Sequence, residues 1–191
     1  MRLFALLPIA FLMSACAASP AVAPSAERVL PSGPPAEPND INFIRQTTEQ
    51  DLLWSAKQRF GEAVVRKALA ASAYIFAKHY PGMMPPPPPG AGPGWKYPDP
   101  PVAVLFRENG QWLVATADGL RQARSDKIAE VESVLAEDTF WAGPTWAPPG
   151  CTDSGGSLLL AKMPGKPEVV RSANCGITGR SETLVFRALE A

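Results

Sequence analysis

Three residues in chain order, His79, Asp99 and Ser154, are of the types that nucleophilic acyl transfer uses. In such a set the serine attacks, the histidine takes its proton and the carboxylate orients the histidine. The serine lies in the stretch CTDSGG at 151–156, and His79 is the chain's one histidine. Other chemistry is thinly supplied. A metal centre needs clustered His, Cys and carboxylate side chains, which one histidine and three scattered cysteines do not offer. The stretch PGAGPG at 89–94 neither follows an expected strand nor opens a helix, so it does not have the context of a phosphate-binding loop. No metal and no cofactor is expected.

The N-terminus places the chain before it suggests a task. Arg2 precedes an apolar run from Leu3 to Met13, followed by Ser14 and Ala15. That run is shorter than the roughly 20 apolar residues a spanning helix needs, and it has the layout of a cleaved export signal over residues 1–15. The next residue is Cys16, and LMSAC at 12–16 resembles the lipobox of bacterial lipoproteins. The resemblance implies that Cys16 becomes the first residue of the mature chain and carries lipid, palmitate included. More than one acyl chain makes such an attachment stable. Ala17, rather than aspartate, follows the cysteine, which by the same resemblance implies a periplasm-facing position at the outer membrane. In that oxidising compartment Cys151 and Cys175 are expected to form a disulfide.

The letters DSGG also surround the nucleophilic serine of trypsin-like proteases, but the context departs from that family. No glycine precedes Asp153, about 37 residues follow Ser154, and Asp99 lies in proline-rich sequence. His79 closes a segment that reads as helix. Read as a turn, each letter has a use: Asp153 and Ser154 bond nearby backbone N–H groups, and Gly155 and Gly156 allow positive φ. A hairpin around Pro164-Gly165 pairs positions summing to about 329, which sets Ser154 opposite Cys175 with Cys151 just beyond. The expectation is a disulfide-stapled turn without catalytic residues.

The elements that must hold these residues follow from composition and periodicity. Residues 16–38 are rich in Pro, Ala and Ser and read as a disordered tether. Asn39-Asp40 can cap a helix, and Leu52, Leu53, Ala56, Phe60, Val64, Ala68, Ala71 and Ile75 recur at three- and four-residue steps. The spacing predicts a helical segment over 39–80, divided at Gly61. Residues 81–100 hold five consecutive prolines, Pro85 to Pro89, and read as a stiff linker. From 101 to 191 the expected order is ββαβββ. Asn109-Gly110 turns a hairpin that pairs Arg107 with Trp112 and Leu105 with Val114. A helix follows from Ser125, then a second hairpin, then a strand TLVFRAL at 183–189. This is an α+β domain: an antiparallel sheet of about five strands with its helices on one face.

Eighteen basic and eighteen acidic residues are dispersed along the chain, so there is no basic stripe for nucleic acid. Trp95, Tyr97, Phe140, Trp141 and Trp146 lie in or beside proline-rich stretches. They either cover the ends of the sheet or form a binding face, for which Trp95, Tyr97, Trp141 and Trp146 are the candidates. The expected function is non-enzymatic: a lipid-anchored binding or assembly module of the cell envelope, with an envelope protein or the cell wall as partner. An inhibitor of envelope-attacking hydrolases is the alternative, and a serine hydrolase using His79 and Ser154 the less favoured one.

Overall fold

The computed structural model describes residues 28–34, 41–81, 86–143, 155–174 and 180–191. It is an α+β fold built on an open antiparallel sheet with helices on both faces. In chain order the elements are α1 (Ile41–Phe60), α2 (Glu62–Ala70), β1 (Tyr74–Tyr80), β2 (Val102–Glu108), β3 (Gln111–Thr116) and β4 (Gly119–Gln122). They continue with α3 (Ser125–Leu135), α4 (Asp138–Ala142), β5 (Gly156–Lys162), β6 (Val169–Asn174) and α5 (Arg180–Glu190). The six strands lie in the order β4-β3-β2-β1-β5-β6, every neighbouring pair antiparallel.

Alternation along β1 explains both layers. Tyr74 and Phe76 point to the α1/α2 side, where they meet Leu52, Leu53, Ala56, Val65 and Ala68. Ile75 and Ala77 point to the other side, into a core with Val131, Val134, Leu184, Val185 and Ala188 from α3 and α5. β2 repeats the pattern, with Val104 and Phe106 on the first side and Ala103 and Leu105 on the second. With both faces covered, these strands read as continuous apolar runs and lose the polar alternation of a half-exposed strand. Each fully buried side chain such as Phe76 or Leu160 contributes about 1.5–3 kcal/mol.

Several expectations are corrected here. The segment 39–80 is helical only as far as Ala70; Tyr74–Tyr80 is a strand, flanked on both sides, near the middle of the sheet. Residues 81–100 therefore do not link two packed parts. They connect β1 to its neighbour β2, whose register includes Lys78 opposite Val102. The sheet has six strands rather than five, because Gly119–Gln122 adds an edge. TLVFRAL lies in helix α5, where Leu184, Val185 and Ala188 make one buried stripe and Glu182 and Arg187 stay outside it. Helices pack on two faces, not one. Residues 28–34, expected to be disordered tether, lie on the fold. Leu30 is buried, Arg28 pairs with Glu49 at 3.2 Å and Glu168 at 2.6 Å, and Lys57 donates to the Pro31 carbonyl.

Local signals are met where they are strong. Gly61, at φ 85°, separates α1 from α2. Asn109 and Gly110 both have positive φ, and the hairpin pairs Arg107 with Trp112 and Leu105 with Val114 as the turn dictates. In the second hairpin Gly156 faces Asn174 and Leu160 faces Val170, a register one residue away from the expected one. Cys16, Trp146, Cys151, Ser154 and Cys175 lie outside the described residues.

Candidate functional site

The polar heart of the molecule is on β1, at the end of the sheet toward the proline-rich loop. α1 turns a mixed face to the sheet: Leu52, Leu53 and Ala56 are buried, and so are Thr48 and Asp51 beside them. Asp51 and Ser55 are one helical turn apart, so they share a face. Opposite them, Lys78 and Tyr80 are two residues apart on β1 and share its α1 side.

Lys78 donates to Asp51 Oδ1 and to Ser55 Oγ, both at 2.9 Å, and Ser55 Oγ donates to Asp51 Oδ1 at 3.1 Å. The Tyr80 hydroxyl donates to Asp51 Oδ2, and the Lys78 ammonium lies 4.4 Å from the centre of the Tyr80 ring. Burial holds the Tyr80 hydroxyl well above the usual tyrosine range, and the hydrogen bond to the Asp51 carboxylate adds to it. The side chains of Lys78 and Asp51 are only 8% and 12% exposed. A charge so placed is costly unless paired and hydrogen-bonded, and here each is both.

This arrangement limits the chemistry. Ser55 beside Lys78 has the residue types of a serine–lysine nucleophile pair, which needs a neutral amine as base. Here Lys78 Nζ donates to Asp51 Oδ1 as well as to Ser55 Oγ and lies against the Tyr80 ring, so its contacts are shared between the serine and a carboxylate. The cluster is a fixed polar floor.

Above this floor opens a cleft of about 340 Å³, lined by Trp54, Ser55, Gln58, Arg59, Lys78, Asp99, Pro100 and Val102. α1 supplies one wall and the end of the β1–β2 loop the other. Among the described residues neither Arg59 nor Asp99 has an ion-pair partner, and the guanidinium of Arg59 sits 5.8 Å from the Phe60 ring centre.

His79 projects from the opposite side of the sheet. Its Nδ1 is 3.2 Å from Ser157 Oγ, directly across the β1–β5 pair, and its ring packs 4.8 Å from that of Phe186 on α5. Asp99 lines the α1-side cleft, so the sheet separates the histidine from that carboxylate. The structure thus does not bring His79 and Asp99 together, and Ser154 is outside the described residues.

The aromatic residues divide. Phe140 and Trp141 are buried on α4, and Trp141 Nε1 donates to the Leu135 carbonyl at 2.8 Å. Trp141 is therefore core and does not belong to a binding face, which corrects that expectation. The buried Arg171 guanidinium packs 4.6 Å from the Phe140 ring centre and donates to the Phe140 carbonyl and to Ser181 Oγ. Trp95 and Tyr97 stay in the loop, their rings in edge contact at 4.4 Å, with Tyr97 40% exposed.

Sequence reasoning missed Asp51, Ser55, Lys78 and Tyr80 as a group. One signal was present: a lysine inside the aromatic, β-branched run YIFAKHY, which as a buried strand demands a buried carboxylate partner. Among the described residues no three His, Cys, Asp or Glu side chains come together as a metal site, and no helix is long and apolar enough to cross a membrane. No family model, no curated protein and no solved structure matches the chain.

Proposed function

We propose that this protein is a lipid-anchored, periplasm-facing binding or assembly module of the cell envelope, held at the outer membrane through Cys16. Its recognition surface is the β1–β2 loop and the cleft behind it. The observation that supports this reading is the loop itself. β1 and β2 are antiparallel neighbours, with Lys78 facing Val102 and the His79 N–H bonded to the Pro101 carbonyl, and two residues would suffice to join them. Residues 81–101 are used instead. Long connections are characteristic of binding loops, and the described residues 86–101 of this one form no helix or strand. This one carries the Trp95–Tyr97 pair and gives Asp99 to the cleft.

The lipidated tether and a Cys151–Cys175 disulfide belong to the same proposal. Its motivation is the LMSAC sequence and the two remaining cysteines. The test is to replace residues 81–99 with Asn-Gly, which leaves Tyr80 facing Pro100. The shortened protein is expected to keep its melting transition and lose the envelope component that the unaltered chain retains on chemical crosslinking. Retention of that component by the shortened protein would refute the assignment of the loop.

A further inference from the structure

We infer that the cleft between α1 and the β1–β2 loop binds a neutral carbohydrate of mono- or disaccharide size; this rests on the reading of the loop as a recognition surface. Four features of the lining point to a polyhydroxylated, uncharged ligand. First, the charges balance. Lys78 is neutralised by Asp51 at 2.9 Å, and the remaining cation and anion of the lining, Arg59 and Asp99, offset one another. An anionic or cationic ligand would meet no net attraction there.

Second, the exposed polar groups are planar and of complementary kind. Arg59 offers a fork of donors, Asp99 two acceptor oxygens, and Gln58 one of each type. A sugar presents neighbouring hydroxyls that donate and accept together, which such groups bind in pairs. Third, Trp54 forms part of the wall. Its ring supplies the flat apolar surface that the C–H face of a pyranose needs, with little conformational entropy to lose. Fourth, the size fits. A cleft of about 340 Å³ is at the small end of ligand sites, which run from about 300 to 1,000 Å³. The ammonium of Lys78, fixed by Asp51 and Ser55, is a rigid floor donor that does not have to be ordered on binding.

The experiment is calorimetric titration of the full chain in detergent micelles. The probes are the uncharged disaccharide of N-acetylglucosamine, a neutral hexose disaccharide of the lipopolysaccharide outer-core type, and acetate and zwitterionic glycine as charged controls. One of the two saccharides is expected to bind, and which one separates a cell-wall from a lipopolysaccharide source. Asp99→Asn, on the exposed loop, is expected to weaken that binding about tenfold, the usual loss for a hydrogen bond to a charged group. Gln58→Ala is expected to weaken it as well, and both variants should melt with the unaltered protein. Binding of glycine or acetate in place of sugar would overturn the inference. So would sugar binding unchanged in both variants, or the failure of both saccharides to bind. If neither saccharide binds but shortening the loop still abolishes crosslinking to the envelope, the carbohydrate assignment fails and the recognition surface stands. If shortening has no effect, the recognition surface fails by itself.

Discussion

Replacing Lys78 with methionine removes the cation and leaves Asp51 buried. The Asp51 side chain is 12% exposed, and after the change Ser55 and Tyr80 would be its remaining hydrogen-bond donors. Breaking a buried pair by removing one partner costs about 3–5 kcal/mol. In a chain of this length each kcal/mol lowers Tm by about 2–4 °C, so Lys78→Met should melt about 6–20 °C below the unaltered protein. The triple change Asp51→Leu, Lys78→Met, Tyr80→Phe removes both charges and the Tyr80 hydroxyl, and leaves only the half-buried Ser55 of the cluster. Replacement of a whole buried network by apolar residues is often neutral or stabilising. The triple variant should therefore melt well above the single one, within a few degrees of the unaltered protein. Thermal unfolding followed by circular dichroism reads both. A Lys78→Met transition within about 2 °C of the original would show that Lys78 is not a buried partner of Asp51. A triple variant less stable than the single would refute the claim that the loss comes from an unpaired charge.

Three further outcomes are expected. Burial, with Glu168 beside Tyr74 and Asp51 beside Tyr80, disfavours both phenolates in the folded state. The unfolded chain therefore loses those protons first, and stability should be complete below about pH 10 and fall as pH rises beyond it. Tyr74→Phe should flatten the alkaline fall in urea midpoints, and an unchanged slope would contradict the assignment. Gly110→Val should cost about 1–3 kcal/mol, since a β-branched residue is strained at φ 81°; an unaltered urea midpoint would argue against the observed turn. Cys16→Ser should release the chain from membranes and abolish labelling by a palmitate analogue, and mapping of unreduced peptides should find Cys151 joined to Cys175. Continued labelling, or free thiols at both positions, would sink the corresponding part of the proposal.

What the sequence made legible was local. Asn109-Gly110 determined a turn and with it the pairing of Arg107 and Trp112, and Gly61 divided the two helices because its backbone leaves the helical region. β1 was hidden for a physical reason. With both faces covered, Tyr74 to Ala77 are all buried, and Ile75 continued the helical spacing of Ala68 in α2 and Ala71 just past its end. α5 was hidden by the opposite effect. The apolar core of TLVFRAL looks like a strand until Glu182, Arg187 and Glu190 on either side show its helical stripe. The site followed the strand. Asp51 and Ser55 share a helix face in any reading, but their meeting with Lys78 depends on β1 running past α1, which no local pattern states. The aromatic candidates divided by burial: Trp141 belongs to a helix in the core, and Trp95 and Tyr97 to a loop outside it, with Tyr97 exposed.

The claim that the β1–β2 loop is the recognition surface is tested most directly by a photo-crosslinking scan in living cells. A benzophenone amino acid is placed in turn at Trp95 and Tyr97 in the loop, and at the exposed Ser133 and Thr139 on the α3/α4 side. The account predicts one recurrent adduct with an envelope component from the loop positions and none from the helical side. Adducts that arise from Ser133 or Thr139 and never from Trp95 or Tyr97 would contradict it.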